Sequence, residues 1–300
     1  MSSTPLPQTQ LETAAIHTKS KGSFRLVAEA FLADRLGIVG MVFLMFMVLF
    51  CFVGPLVYHT NQINANITNL HLPPGSPGHI LGTDQDGYDL LGRLMVGGQT
   101  ALIIGFLAAF LATMFGAIWG AFAGYYGGIV DSVMMRVVDT MLAIPSLFLT
   151  LFLAAVVTIT SQDLIFIVAL VAWLIPSRLI RGEALSLKSR EYVQAVRMMG
   201  GSSFRAIFLH IIPNTIGTIM VNASFQIADA ILLVAALGYL GLGVPPPATN
   251  WGDMLASGTN FILAGYWWLI YFPGAAIVLT VVAFNFVGDA LRSALEQRIK

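Results

Sequence analysis

Charge is what this 300-residue chain has least of: Asp, Glu, Lys and Arg together make up 10% of it, against about 25% in soluble domains. That shortfall excludes an ordinary water-soluble globule. Lys and Arg number 15, as do Asp and Glu, so the formal net charge is zero. Without a global positive field there is no attraction to a polyanion, and nucleic acid is not an expected partner. Cysteine occurs once, as Cys51 within an apolar run, which excludes a disulfide framework and reads as a small buried hydrophobe. His17, His59, His71, His79 and His210 all fall outside the apolar runs, and neither H-E-x-x-H nor G-x-S-x-G occurs. A Walker A sequence is missing too. The chain is therefore expected to be no enzyme, with no metal, no ATP site and no cofactor of its own.

What is abundant is apolar: 57% of residues are hydrophobic and the mean hydropathy is +0.82. About 20 apolar residues at a rise of 1.5 Å cross a hydrocarbon core of roughly 30 Å. The runs predict an all-α membrane protein with six spans, near Leu36–Tyr58, Thr100–Tyr125, Val133–Val157, Leu164–Ile180, Thr215–Leu240 and Trp267–Leu291. Ahead of them, residues 1–22 are polar and read as a disordered cytosolic tail. Phe24, Val27, Ala28, Phe31 and Leu32 share one face of an interfacial helix expected over 23–35. The membrane domain then covers 36–300. Pro145 should kink or unwind the third span, and Gly116, Gly120 and Gly124 form a small-residue stripe suited to close helix packing.

Orientation follows from the basic residues. A cytosolic N-terminus puts fourteen of the fifteen Lys and Arg on the inner side and leaves only Arg93 outside. Both termini are then expected in the cytosol of a prokaryote, with the chain crossing its plasma (inner) membrane. The outer loop at about 59–99 carries Asp84, Asp86 and Asp89, and Thr83 or Asp84 is expected to cap a surface helix there. Trp251, Tyr266, Trp267 and Trp268 read as an outer aromatic belt. Arg136 and Asp139 read as a structural pair.

A basic, helix-prone loop remains at about 181–214, between the fourth and fifth spans. It is too short to fold alone, so its helix must dock on something. Arg190–Met199 predicts a helix, with Glu191 at the positive end and Gly200-Gly201 as terminator. Ser202 or Ser203 caps a second helix, Phe204–Ile212, that stops at Pro213. Val193, Val196 and Met199 are placed on one face, and Arg190, Arg197 and Arg205 supply charge. Packing under its own bundle is the alternative to docking on a partner.

This loop resembles the EAA loop of importer permeases, E-A-A-x3-G-x9-I-x-L-P, at Gln194, Ala195, Val196, Gly200, His210, Ile212 and Pro213. Glu191-Tyr192-Val193-Gln194-Ala195 is similar to the variant in the dipeptide, oligopeptide and nickel permease family. Leu81-Gly82-Thr83-Asp84 through Asp89 with Arg93, Gly124-Tyr125-Tyr126-Gly127-Gly128, and Leu237–Pro246 followed by Trp251-Gly252-Asp253 resemble further segments of that family's C-type subunit. Tyr88 stands where the family usually has Arg, and Val234 where many of its members carry an acid.

The resemblance implies a type I importer fold and a permease moving di- or oligopeptides, with nickel chelates, glutathione or another small solute as alternative cargo. It implies a homologous B-type permease subunit, two cytosolic ATP-binding subunits that hold ATP and Mg, and an extracytoplasmic solute-binding protein, all around a chain embedded in the lipid bilayer. It also implies a coupling helix contacting an ATPase subunit through Glu191, Tyr192, Val193, Gln194, Ala195, Val196, Arg197, Met199, Gly200, Gly201, Arg205 and Pro213. Val193, Val196 and Met199 would fill that subunit's groove. Independently, Asn222, Gln226 and Asp229 at i, i+4 and i+7 share a face of the fifth span and are candidates for the translocation path, with helix-to-helix hydrogen bonding as the alternative. An ion-coupled secondary transporter is the competing class, but it leaves the basic loop idle and asks for an inverted repeat not seen here.

Overall fold

The computed structural model describes residues 23–157 and 160–296; the tail expected at 1–22 lies outside the described residues, as do Arg298 and Lys300. Its principal helices are α1 Ser23–Ala33, α2 Arg35–Phe52, α3 Leu90–Tyr126, α4 Gly128–Leu142, α5 Ser146–Val156, α6 Ser161–Ala172, α7 Leu174–Lys188, α8 Glu191–Met198, α9 Ile216–Tyr239, α10 Trp251–Thr259 and α11 Trp268–Glu296. Helices α2, α3, α9 and α11 are each long and apolar enough to cross a membrane. The bent pairs α4–α5 and α6–α7 raise the number to six if each is one span.

Proline sets both bends. The α4–α5 pair turns by 82°, and Pro145 is the N-cap of α5 in extended geometry, as a residue that cannot donate within a helix requires. The α6–α7 pair turns by 42°. Its break lies at Trp173, and Pro176 falls in the first turn of α7, where the proline ring does not interrupt the helix that follows. The fourth span was expected to end near Ile180; helix instead continues beyond the bend to Lys188.

Helix α3 is the spine. It has no proline and runs for 37 residues, about 55 Å at 1.5 Å per residue and so longer than the hydrocarbon is thick. It begins at Leu90 rather than Thr100, because Leu90 and Leu94 are buried by Trp251, Met254 and Trp268 instead of by lipid. Along its other half the glycine stripe receives α7. A β-carbon on Gly116 would sit 2.6 Å from the Trp173 carbonyl, and one on Gly120 2.2 Å from that of Ser177. On Gly124 it would sit 2.7 Å from the Arg181 carbonyl. The stripe serves packing within the chain.

Helix α1 lies against the end of α11, with Phe31 buried beside Ala290 and Ala294. Leu32, expected on the same face as Phe31, is exposed. Asp34 then caps α2 by accepting from Leu36 N and Gly37 N at 2.9 and 3.0 Å.

At the aspartate-rich end three expectations change. Asp89, not Thr83 or Asp84, caps α3, accepting from Gly92 N at 2.8 Å; Asp84 instead closes a local turn by accepting from the amides of Asp86 and Tyr88. Trp251 is fully buried and donates from Nε1 to the Leu94 carbonyl at 2.9 Å. Trp268 is buried too, donating to the Thr83 carbonyl, so Trp267 is the exposed tryptophan of the expected belt. The buried indole N–H groups of Trp251 and Trp268 find internal carbonyls, so these two rings serve packing within the chain rather than the belt. The Trp251-Gly252-Asp253 run is thereby explained. Trp251 fills the hollow left by Gly98, Gly252 lets α10 meet the Ala235 carbonyl of α9, and Asp253 completes a capping box with Asn250.

Candidate functional site

Helix α8 is short and carries its own start and stop. Glu191 in its first turn and Arg197 in its last complement the helix dipole. At the far end Gly201 N donates to Val196 O at 2.8 Å and Gly200 N to Arg197 O at 3.1 Å, the paired closure of a Schellman motif. Gly200 supplies the left-handed residue this needs, with φ +78°. Gly201 is required for a different reason: a β-carbon there would lie 2.5 Å from Val196 Cγ1.

Two anchors hold α8 to the bundle. Val193 is 0% exposed, packed among Ala117, Ala121 and Tyr125 of α3, Ile180 and Ala184 of α7, and Ile207 and Ile211 of the following turn. Arg197 leans over the Tyr125 ring, 5.9 Å from its centroid. The expected shared face of Val193, Val196 and Met199 is therefore wrong. A step of three residues falls 60° short of a full turn, so Val193 and Met199 point about 120° apart. Val193 faces inward, Val196 is half-buried beside Gly201, and Met199 is 80% exposed. Met198, at 81%, and Phe204, at 62%, join Met199 on the open side. Neither was singled out from the sequence, although counting helix angle in place of residue intervals would have found Met198.

The remaining loop residues frame this surface. Glu191, Gln194 and Arg205 are exposed and Ala195 is half-buried. Tyr192 is exposed with its ring 6.4 Å from that of His210, and Gln194 Nε2 donates to the Ser189 carbonyl at 3.3 Å. Ser202 Oγ caps the next turn by accepting from Arg205 N. Helix does not stop at Pro213. It widens into a π turn over Ile207–Ile211, with Ile212 N reaching Ile207 O, and continues through Ile212–Asn214. Pro213 cannot donate to the Leu209 carbonyl, and a wide turn directly before it absorbs the misfit.

Helix α7, which carries α8, is tied to α4 by two ion pairs. Arg181 binds Asp131 through two hydrogen bonds of 2.7 and 2.6 Å, and Arg178 pairs with Asp139. Asp139 thus meets Arg178 across helices rather than Arg136 on its own helix. Thr218 of α9 donates to Glu183 of α7.

On α9 the three polar residues have different surroundings. Asp229 is exposed. Asn222 is half-buried, and its Oδ1 is enclosed without a hydrogen-bond partner among the described residues. Gln226 is 4% exposed and donates from Nε2 to the Ala172 carbonyl at 2.7 Å.

At the opposite, aspartate-rich end a cleft of about 550 Å³ is lined by Asp84, Asp86, Arg93, Asp253 and the 241–249 loop. Arg93 donates to the Pro247 carbonyl at 2.8 Å, lies 3.7 Å from Asp84 Oδ2 and stacks 4.1 Å over Tyr88. Burial pushes the Asp253 carboxyl up to about 6, against the opposing pull of the Asn250 amide and Arg93. Burial raises Asp84 likewise.

Residues 112–300 match the family described as "Binding-protein-dependent transport system inner membrane component", and residues 23–74 match the "N-terminal TM domain of oligopeptide transport permease C". The chain is 35% identical to the oligopeptide transport system permease protein OppC of Bacillus subtilis (strain 168), over 98% of this chain and 99% of that one. It is 42% identical to the dipeptide transport system permease protein DppC of Escherichia coli (strain K12), over 90% and 91%. With the oligopeptide permease OppC of Salmonella typhimurium it shares 39% over 89% of each.

Proposed function

Because this chain belongs to the family of inner-membrane components of binding-protein-dependent transport systems, we propose that it is the permease subunit of an ATP-binding-cassette importer for di- and oligopeptides. It contributes passage and no catalysis. A homologous B-type permease completes the path, two cytosolic ATP-binding subunits hold ATP and Mg, and an extracytoplasmic binding protein delivers the peptide. Both termini and α8 lie in the cytosol, while the cleft at Arg93 faces the binding protein. The lipid bilayer meets faces such as Val39, Val42, Phe46 and Leu49 of α2, which are large, apolar and exposed.

Helix α8 is the coupling element of this reading. One observation carries it: α8 is pinned on one side by Val193 and offers Met198, Met199 and Phe204 on the other. Exposed apolar side chains, with the exposed Arg205 next to Phe204 in the chain, suit a protein groove. A short helix with both ends closed passes displacement on where a floppy loop would absorb it. Asn222 and Asp229 are the path residues of this reading; the amide of Gln226 is already engaged by α6.

The test is a Met199→Cys variant of the full transporter in membrane vesicles, in a Cys51→Ser background. A thiol cross-linker added on the cytosolic side should join position 199 to an ATP-binding subunit. Labelling only from the opposite side of the membrane, or no ATP-binding partner, would overturn the assignment.

A further inference from the structure

In an α-helix the N–H of residue i donates to the carbonyl of i−4, so each proline deprives one carbonyl of its donor. Pro55 leaves Cys51 O in that position and Pro176 leaves Ala172 O. Both carbonyls are met by the same chemical group. Gln99 Nε2 donates to Cys51 O at 2.7 Å, and Gln226 Nε2 donates to Ala172 O at 2.7 Å. In hydrocarbon there is no water to fill such a vacancy, and an unmet carbonyl is strongly unfavourable. Each glutamine reaches across from another helix: Gln99 ties α3 to the end of α2, and Gln226 ties α9 to the break between α6 and α7.

What hangs from the two ties differs. Beyond the Pro176 bend, α7 runs to Lys188 and passes within three residues into α8. Helix α3 supports the bend from another side, where Gly116 lies against the Trp173 carbonyl and Pro176. The Glu183–Thr218 hydrogen bond joins α7 itself to α9, about three turns nearer to α8. The bent span is thus tethered to α9 on both sides of its break, through Glu183 on the half that bears α8 and through Ala172 beside the hinge itself.

We propose that Gln226 is a positioning residue for transport: its side-chain amide replaces the N–H that Pro176 lacks, fastens the α6–α7 elbow to α9, and passes movement of α8 to the helix bearing Asn222 and Asp229. This rests on α8 being the coupling element, so the test separates the two ideas.

The complete importer is reconstituted in liposomes with four variants of this chain: Gln226→Leu, Pro176→Ala, the double variant Pro176→Ala/Gln226→Leu, and Gln99→Leu. Thermal stability of the assembled complex reads the carbonyl. Gln226→Leu should lower it, and adding Pro176→Ala should restore it, because Ala172 O regains a backbone donor. Should Gln226→Leu fail to assemble, recovery of the complex in the double variant reads the same linkage; no recovery overturns the proposal. Peptide taken up per ATP hydrolysed reads the tether. It should fall about fivefold in the double variant relative to Pro176→Ala alone, a change typical of a lost coupling between sites. Equal ratios in those two would reduce Gln226 to a structural role and overturn the transmission step. Gln99→Leu should lower stability with the uptake ratio unchanged; a matching fall in its ratio would likewise count against a special role for the α6–α7 elbow. If cross-linking at position 199 fails, the coupling assignment falls, while the stability comparison still tests the clasp.

Discussion

Replacing Gly200 by valine isolates the stop of α8. Its φ of +78° lies in the left-handed region, and among the described residues nothing stands within 4 Å of an added β-carbon. The penalty is therefore conformational rather than steric. For an L-residue it is about 1–2 kcal/mol, enough to shift the balance between a closed and a frayed helix end by roughly 5- to 30-fold. The two hydrogen bonds at stake are Gly201 N to Val196 O and Gly200 N to Arg197 O. Val193 is anchored elsewhere in the bundle, so the complex should still assemble. What frays is the turn presenting Met198 and Met199. The assay is ATP-driven peptide uptake in proteoliposomes, with ATP hydrolysis and complex yield measured beside it. Uptake should fall about tenfold, the middle of that range, at normal yield. Asparagine tolerates the left-handed region, so Gly200→Asn should keep most of the uptake. Wild-type uptake in Gly200→Val would refute the reasoning, and so would an Asn variant as impaired as the Val one.

Three other outcomes are expected. Asp229→Ala should reduce peptide uptake while leaving assembly and ATP binding intact; an unchanged uptake rate removes Asp229 from the path. Asp253 keeps its proton up to about pH 6 in the folded cap, whereas an ordinary aspartate ionises near 3.8. The folded cap therefore loses stability, of the order of 1–3 kcal/mol, as the pH rises from about 4 to 6, and is level above that. Protection factors of the Gly252 and Asp253 amides, taken relative to the intrinsic exchange rate at each pH, should rise as the solution is acidified through this window, and Asp253→Asn should flatten the response. Gly120→Ala would set a methyl 2.2 Å from the Ser177 carbonyl, so α3 and α7 must separate; membrane levels of the chain should drop, and a normal level would show that the stripe yields.

Most of the fold was legible because the bilayer imposes a length and proline imposes breaks. The spans were found by hydropathy, the α4–α5 bend by Pro145, and the α3–α7 contact by its glycines. Hydropathy failed where protein, not lipid, does the covering. Lipid tails are as apolar as Leu, so an apolar residue carries no mark of which it faces. Leu90 and Leu94 therefore looked like loop, and Trp251 looked like an interfacial anchor. The same ambiguity misplaced Val193. On α8 the residues that meet the bundle and those left exposed are equally hydrophobic, and only the helix angle separates Val193 from Met198 and Met199.

Two departures from the family pattern lie outside the 181–214 loop, at Tyr88 and Val234. Tyr88 stacks beneath Arg93, where a second arginine would have met like charge beside Asp84. Val234 is fully buried with Ile104, Ala108, Leu164 and Val168. A carboxylate in that cluster would be desolvated and unpaired, so this chain's packing around position 234 has closed over an apolar side chain. The acid of α9 is Asp229, and it is exposed rather than packed away. If movement of peptide through this span needs a negative charge, Asp229 must supply it, because Val234 cannot.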